Sequence, residues 1–86
     1  MAQYDLGLCY FYGMGVEQSY EKSLYWYGKA AEQGSMYAMY ELGDCYYSGL
    51  GVEKDVDVAV EWYEKAAECG FEPAKEWLEK LRNGEA

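Results

Sequence analysis

The sequence predicts an all-α fold: an α/α solenoid of two helix-turn-helix repeats followed by a C-terminal capping helix. The first observation is an internal repeat, since Leu6-Gly7 returns as Leu42-Gly43, 36 positions later. The second is that apolar residues between these landmarks recur every third or fourth position, as they do on one face of a helix. Repeats of this length form helical arrays in which each unit buries its apolar face against its neighbours. We therefore expect five helices in one domain, residues 1–86.

The predicted units follow from the two copies of the repeat. They are repeat one over 2–34, repeat two over 38–70 and the capping helix over 73–83. Inside the repeats, helices are expected at about 2–12, 19–33, 36–48 and 55–69. Pro73 suits the first turn of the fifth helix, because its missing N–H has no partner to lose there.

Local signals mark where the second helix of each repeat begins and ends. Ser19 and its counterpart Asp55 are expected N-caps, because a short oxygen-bearing side chain accepts from a free backbone N–H of the first turn. Gly34 and Gly70 stand where a glycine closes a helix in the left-handed conformation. The first helix of each repeat is expected to end at a pair of glycines two residues apart, which allow a tight connection.

The expected contact between helices rests on small residues. Gly7 and Gly43 lie in mid-helix, where glycine costs about 1 kcal/mol against alanine, so we expect a side chain of the next helix to sit on each. The second helix of each repeat ends in an Ala-Ala pair, which is expected to offer the smooth surface that lets these glycines approach. The buried stripe is predicted as Ser23, Trp26, Tyr27, Ala30 and Ala31, and in repeat two as Ala59, Trp62, Tyr63, Ala66 and Ala67.

Composition excludes several classes of function. The net charge of -9 disfavours direct binding to nucleic acid or to anionic membranes, which requires Lys and Arg. No apolar run approaches the roughly 18 residues of a membrane span. The first residues lead straight into repeat one, so we expect no signal peptide. An odd count of three cysteines then favours a reducing, cytoplasmic location, in the source cell or in a host cell.

Catalysis finds little support in the sequence. The chain has no His, the commonest general base and metal ligand, so we predict no enzyme activity, no metal and no cofactor. The glycine pairs lack the strand before and the Lys or third Gly after that a phosphate-binding loop needs. Cys9 and Cys45 occupy equivalent repeat positions and are expected to be buried thiols, and all three cysteines, with Cys69, are expected to be free.

These residues resemble the Sel-one-like repeat family, a relative of the tetratricopeptide repeat. The residues that carry the resemblance in the first copy are Ala2, Leu6, Gly7, Tyr10, Gly13, Gly15, Val16, Trp26, Tyr27, Lys29, Ala30, Ala31 and Gly34. The second copy matches from Ala38 through Gly70, and the chain departs from the family pattern at Ser23 and Gly28. The resemblance implies an α-helical solenoid that works as an adaptor or scaffold for protein–protein interaction, without chemistry of its own.

The family signature consists of packing residues, so the binding face is expected elsewhere, on a second apolar side of helices one and three. A helix that is apolar on two sides is buried twice or binds a partner. Either these residues pack on neighbouring helices, or they form an aromatic groove for a peptide or a partner helix, which is the prediction we prefer. The candidate face consists of Tyr4, Leu8, Phe11, Tyr12, Tyr37, Tyr40, Asp44 and Tyr47.

An acidic ridge is the alternative site. It consists of Asp57, Glu61, Glu64, Glu68, Glu72 and Glu76. It is either a solvated outer face with interleaved Lys65 and Lys75, or a carboxylate stripe presented to a basic partner. In the second case the protein would be a small acidic inhibitor of the phage type, which imitates nucleic acid and occupies the basic groove of a nucleic-acid-binding enzyme.

The N-terminal end of the array is expected to be open. Repeat arrays need polar caps at both ends, and only the C-terminal end has a predicted one. Helix one begins at residue 2 with Tyr4, Leu8 and Phe11 near this end. We expect this end to be covered by a second copy of the chain, in a homodimer, by another protein, or by a further part of a longer chain.

Overall fold

The computed structural model describes residues 2–84, which form five α-helices joined by turns and contain no β-strand. The predicted all-α solenoid is confirmed. Residue 1 and the last two residues of the expected domain lie outside the described range. The helices are α1 (Gln3–Tyr12), α2 (Tyr20–Glu32), α3 (Met36–Ser48), α4 (Val56–Glu68) and α5 (Glu72–Arg82). The most extensive contacts join the two helices of each repeat, α1 with α2 and α3 with α4, and smaller ones join α2 to α3 and α4 to α5, as expected of a repeat array.

The predicted N-caps are present. The Lys22 backbone N–H donates to Ser19 Oγ over 3.2 Å, and the Val58 N–H donates to Asp55 Oδ1 over 3.2 Å. A third cap, at the start of α3, is Ser35, whose hydroxyl accepts from the Ala38 N–H over 3.3 Å. These side chains satisfy donors that the first turn of a helix leaves free, and so fix where α2, α3 and α4 begin.

The turn after α2 is closed by Gly34, which has a φ of +91°. The Gly34 N–H donates to the Ala31 carbonyl (2.9 Å) and the Ser35 N–H to the Ala30 carbonyl (3.0 Å). This pair of bonds satisfies the last carbonyls of the helix and reverses the chain. Gly70, with a φ of +93°, does the same after α4, so both predicted closing glycines are confirmed.

The mid-helix glycines are covered by tyrosine rings, and not by the alanine pairs. A β-carbon at Gly43 would lie 2.6 Å from Tyr63 Cε1, and one at Gly7 would collide with the Tyr27 ring in the same way. The expectation that a side chain sits on each glycine is therefore confirmed, but the expectation that the Ala-Ala pairs give the approach surface was wrong. The flat ring needs the space that only a missing side chain leaves.

The core is divided between the two repeat interfaces. At the first, Tyr27, Ala30 and Ala31 of α2 meet Ala38, Leu42 and Cys45 of α3. At the second, Ala59 and Tyr63 of α4 meet Leu78 of α5. Tyr27 and Tyr63 are fully buried, so each repeat is centred on one tyrosine. The capping helix α5 buries Ala74 and Leu78 and leaves its charged residues outside.

Four residues are less buried than the sequence indicated, and one of them is Ala67 of the predicted stripe, which is half-buried. Trp26 and Trp62, expected in the buried stripe, are half-buried. The Lys65 ammonium lies 4.4 Å from the centre of the Trp62 ring, where the ring attracts the charge. The indole rings are therefore at the edge of the core, because the alanines and the tyrosine fill its centre. The thiol of Cys9 was expected to be buried and is also only half-buried.

The repeat explains Cys9 by direct comparison. In α3, Ala38, Leu42 and Cys45 are covered by α2 and are at most 4% exposed. The equivalent positions of α1 are Ala2, Leu6 and Cys9, of which Ala2 is exposed and the other two are half-buried. No helix among residues 2–84 packs on this side of α1, so the same apolar stripe is left open at the N-terminal end of the described array.

Candidate partner-binding face

The aromatic side chains form one connected network that crosses all five helices. Neighbouring rings lie 4.9 to 6.3 Å apart between centroids and are tilted or edge-to-face, which is the favourable arrangement for aromatic pairs. In spatial order the network contains Tyr12, Phe11, Tyr27, Tyr4, Tyr37, Phe71, Tyr40, Tyr63, Trp77 and Tyr47, and Tyr20 joins it through Phe11. Tyr27 and Tyr63 are its fully buried members, and the other rings are half-buried or exposed at the surface.

The predicted aromatic face divides into an exposed and a packed part. Tyr12 is 63% exposed and Tyr37 is 50% exposed. The others are half-buried: Tyr4, Leu8 and Phe11 pack against the first core cluster, and Tyr40 and Tyr47 pack against the second. The predicted residues therefore lie on α1 and α3, as expected from the sequence. Most of them pack against the core, and only two tyrosines of the face are exposed.

Phe71 is a member of this face that the sequence reading missed. Its ring lies 5.1 Å from Tyr37 and 5.2 Å from Tyr40, so it joins α3 to the start of α5. A signal was available in the sequence, since Phe71 is an aromatic residue directly after the helix-closing Gly70. The chain reverses there and returns toward the first helix of the same repeat, α3. It was overlooked because Phe71 falls outside both helical stripes.

Asp44, the one charged member of the predicted face, has a specific partner. The Tyr63 hydroxyl donates to Asp44 Oδ1 over 2.6 Å, in a partly buried site. Burial raises the pKa of the Asp44 carboxyl, and the bond from Tyr63 opposes that shift because it stabilises the ionised form. Asp44 therefore links α3 to α4 and leaves its second oxygen available to other donors.

Glu41 lies one helical turn before Asp44 and was also missed by the sequence reading. It is half-buried, and burial, with the nearby charge of Asp44, raises its pKa to about 7. A carboxylate three residues before another on a helix shares its face, and this spacing could have identified the pair. Glu41 and Asp44 together place two acids in the middle of the aromatic face, and we call them the acidic pair.

The acidic pair acts on four tyrosines, one of them through a direct hydrogen bond. Of the charges that raise the pKa of Tyr4 and of Tyr27, that of Glu41 contributes most, after burial. Asp44 has the same role for Tyr40, and it accepts the hydrogen bond of Tyr63. The rings come from α1, α2, α3 and α4, so the acidic pair lies where both repeats meet.

The Tyr27 hydroxyl has no hydrogen-bond partner among residues 2–84, although its side chain is fully buried. The Ser23 hydroxyl is near enough to lower the pKa of Tyr27, against the larger effect of burial, but no hydrogen bond of ordinary geometry joins the two groups. In repeat two the equivalent Tyr63 is satisfied by Asp44, whereas the position equivalent to Asp44 in repeat one is Leu8. The two repeats therefore differ at one polar contact, beside Glu41.

The basic side chains lie away from the acidic pair. Four lysines stand over aromatic rings, at 4.4 to 5.7 Å from the ring centres. In the part of the chain that the structure describes, the one ion pair joins Lys75 to Glu72 over 3.4 Å on α5. Neither Glu41 nor Asp44 has a Lys or Arg within ion-pair distance among residues 2–84.

The acidic ridge is exposed along its whole length. All six of its residues are exposed, from Asp57 on α4 to Glu76 on α5. Only Glu72 is paired within the described residues, by Lys75. The ridge is therefore open to solvent or to a basic surface, and its position on α4 and α5 separates it in sequence from the aromatic tips on α1 and α3.

A shallow depression of about 520 Å³ lies between the start of α1 and the end of α2. Its lining includes Ala2 and Tyr4 from α1 and Ala30 and Gln33 from the end of α2. Tyr4 therefore belongs both to the aromatic face and to the open N-terminal end.

Two further observations concern other classes of site. Within residues 2–84 no three His, Cys, Asp or Glu side chains cluster closely enough to hold a metal ion. None of the five helices is both long and apolar enough to cross a lipid bilayer.

Comparison with known proteins identifies the repeat. The family model described as the Sel1 repeat matches twice, at residues 1–35 and 37–71. No curated protein matches the chain significantly. Proteins built from Sel1 repeats generally mediate protein–protein interaction, and the family is a non-catalytic interaction scaffold.

Two solved structures are similar to this chain. A Sel1 repeat protein from Oxalobacter formigenes is 42% identical, with a TM-score of 0.90 over 92% of this chain and 32% of its own. The protein c5321, a protective antigen of uropathogenic Escherichia coli strains with an SLR fold, is 44% identical, with a TM-score of 0.77 over 79% of this chain and 15% of its own. The chain thus spans a third or less of the length of these structures. With the family model matched over residues 1–35 and 37–71, well over half of its length, the chain belongs to the Sel1 repeat family.

Proposed function

We propose that this protein is an interaction module that binds a peptide segment or helix of another protein on the aromatic face of α1 and α3. The observation that carries the proposal is the exposure of Tyr12 and Tyr37 on a rigid, packed support. Tyrosine is enriched at the energetic centres of protein interfaces, because it offers a large contact area at a small entropic cost. Tyr37 is also held between the rings of Tyr4 and Phe71, which further limits the entropy it loses on binding.

Affinity capture with matched variants tests the proposal. Tyr37→Ala and Tyr12→Ala each remove one of the two exposed tyrosines of the face. Tyr25→Ala is the control, because Tyr25 is 57% exposed on α2 and lies outside the face. Proteins bound by the wild-type chain should also be bound by Tyr25→Ala and lost by the other two variants. Equal loss with all three variants, or no loss with any, would contradict an aromatic binding face.

The acidic ridge supports a second candidate function, the occupation of a basic groove of a nucleic-acid-binding enzyme. Its support is the row of six exposed carboxylates with one pairing lysine among the described residues. Binding of this kind falls steeply with salt, because exposed charges are screened within about 8 Å at physiological ionic strength. Glu61→Gln with Glu64→Gln should then weaken capture at low salt, whereas capture through the aromatic tips should persist at high salt.

Self-association is proposed for the open N-terminal end. The support is the incomplete burial of Leu6 and Cys9, whose counterparts Leu42 and Cys45 are covered in repeat two. A second copy could cover this stripe through a two-fold interface. Sedimentation equilibrium should show a wild-type dimer and a Leu6→Glu monomer that keeps its helical circular dichroism; a wild-type monomer at all concentrations would reject the homodimer.

We also propose that the protein works in the cytoplasm and does not contact nucleic acid directly. Three free cysteines suit a reducing compartment, and the net charge of -9 repels phosphate. Cell fractionation would test the location, and a gel-shift titration with duplex DNA and with RNA would test the second point.

A further inference from the structure

We propose that the acidic pair, Glu41 and Asp44, recognises a basic side chain of the bound protein, with arginine as the preferred residue. This inference rests on the proposed function of the aromatic face and names the chemistry of what binds there. It is argued from four observations: the position of the two carboxylates, the lack of a basic partner within the described chain, the rings around them and the unpaired Tyr27 hydroxyl.

The first argument is electrostatic. Glu41 and Asp44 share one face of α3 and are both half-buried, so folding removes part of their hydration and brings like charges together. Such a pair is costly unless a cation or several hydrogen bonds compensate it. Asp44 has the Tyr63 hydroxyl as a donor, and no basic side chain of residues 2–84 lies within ion-pair distance of either acid. A cation from a partner would offset the cost of burying these two like charges.

The second argument concerns the shape of the ligand. Asp44 is bonded to the Tyr63 hydroxyl, the Tyr63 ring lies 5.4 Å from that of Tyr40, and the ring of Tyr37 lies 5.9 Å from that of Tyr4. A guanidinium group is flat, stacks on aromatic rings and presents several N–H donors to carboxylates in a fixed fork. A lysine ammonium would neutralise the charge, but it is not planar and would stack less well on the aromatic rings. Two carboxylates without further ligands are too few for a metal site, in keeping with the absence of metal-ligand clusters among the described residues.

The third argument is the Tyr27 hydroxyl, which is an independent sign of a missing contact. It is fully buried and, like the neighbouring Ser23 hydroxyl, has no hydrogen-bond partner among residues 2–84; of the charges that act on it, that of Glu41 has the largest effect. Buried hydroxyls normally have a partner, since an unpaired one costs about 1–3 kcal/mol. A guanidinium held by Glu41 would bring N–H donors to the side of the site on which this hydroxyl lies. The same position in repeat two is already satisfied by Asp44.

A peptide titration followed by NMR tests the inference directly. The probes are acetyl-Gly-Arg-Gly-amide and acetyl-Gly-citrulline-Gly-amide, which have nearly the same shape but differ in charge. At a pH above the pKa of Glu41, the arginine peptide should produce saturable shifts of the Glu41, Asp44 and Tyr63 amide signals. The citrulline peptide should bind at least about tenfold more weakly, since an interaction of a charged donor with carboxylates is worth about 1.5–3 kcal/mol.

Variants locate the binding and separate this inference from the proposed function. Glu41→Gln should lower the affinity for the arginine peptide about tenfold or more, while Glu53→Gln, an exposed residue outside both candidate surfaces, should leave it unchanged. Dispersed amide signals show that each variant is folded. Equal binding of both peptides, shifts confined to the ridge, or unchanged binding by Glu41→Gln would overturn the proposal. If Tyr37→Ala still abolishes capture of a partner in that case, the aromatic face stands and only its preference for arginine fails.

Discussion

The Tyr63 hydroxyl donates to Asp44 Oδ1 over 2.6 Å, whereas Tyr27, the equivalent tyrosine of repeat one, has no partner for its hydroxyl. Both side chains are fully buried and both rings cover a mid-helix glycine. The two repeats thus share one packing device and differ in one polar contact. Because the surroundings are so similar, each tyrosine serves as the control for the other.

Removing the two hydroxyls should have different effects on stability. Tyr63→Phe loses a hydrogen bond to a charged acceptor and should lower the free energy of unfolding by about 1.5–3 kcal/mol. Tyr27→Phe removes a hydroxyl without a partner and should be neutral or stabilising by up to about 1 kcal/mol. Urea unfolding followed by circular dichroism measures both. A loss in Tyr27→Phe as large as that in Tyr63→Phe would show that Tyr27 has a partner in solution.

Glycines on the two faces of the helices should also differ when replaced by alanine. At Gly28 a β-carbon would meet nothing within 4 Å, so Gly28→Ala should stabilise the protein by about 1 kcal/mol through helix propensity alone. At Gly43 a β-carbon would lie 2.6 Å from the Tyr63 ring, so Gly43→Ala should cost about 1–3 kcal/mol. Thermal melts would compare them. Stabilisation by both substitutions would mean that the ring moves aside freely.

Stability should depend on pH through Glu41. Below its ordinary pKa of 4.5 the carboxyl is protonated in both states and costs nothing, and above about 7 it is ionised in both. The protein therefore loses part of its stability as pH rises from 4.5 to about 7. Glu41→Gln should remove this pH-dependent loss. Allowing for solvent screening of a half-buried group, we expect the variant to gain about 1–2 kcal/mol on the wild type at the higher pH.

The measurement for Glu41 is urea unfolding of wild type and Glu41→Gln on both sides of this pH window. The groups that act on the carboxyl, or that it acts on, are Tyr40, Asp44 and Cys45 on α3, Tyr4 on α1 and Tyr27 on α2. Of these, Asp44 also has a raised pKa, so some pH dependence should remain in the variant. Glu61→Gln, on the exposed ridge, is the control. A difference between wild type and Glu41→Gln that stays constant with pH would argue against a raised pKa.

The three thiols should react at three different rates. Cys69 is exposed, Cys9 is half-buried at the open end of the array and Cys45 is fully buried. Burial raises the pKa of Cys45 to about 12, and the thiolate is the reactive form. A disulfide reagent should therefore modify Cys69 first, Cys9 more slowly and Cys45 only when the chain unfolds. Reaction of Cys45 as fast as that of Cys9 would indicate frequent opening between α2 and α3; protection of Cys9 at high protein concentration would support the dimer.

Much of the fold was predictable because its signals are local or periodic. The caps at Ser19 and Asp55 depend on a side chain and a backbone N–H three residues apart, and the closing glycines Gly34 and Gly70 depend on one backbone conformation. The repeat doubled this information, since each assignment could be checked 36 positions later. Helix number, helix order and family followed from these signals alone.

The partners of residues far apart in the chain could not be predicted in the same way. Helical spacing places Gly7 on the packed side of α1, but only the packing of α2 shows that the Tyr27 ring, and not Ala30 or Ala31, fills the space. Spacing likewise cannot distinguish the supporting Tyr40 from the exposed Tyr37, because Tyr40 is covered by Tyr63 of the next helix, a contact between helices that spacing does not define. Periodicity reports the side of a helix on which a residue lies and leaves its neighbour undefined.

By itself, the sequence determined the helices, their order and the array they form, because these depend on hydrogen bonds and apolar periodicity within a few residues. Only the tertiary structure decided which tyrosines are buried, that Cys9 differs from Cys45, and that Glu41 and Asp44 lie among four aromatic rings without a basic neighbour in the described residues. The physical reason is that burial and electrostatic environment are properties of contacts between helices. Two repeats of similar sequence therefore have different surroundings. Repeat two has helices packed on both sides, α2 and α5, whereas among the described residues repeat one is packed only against repeat two.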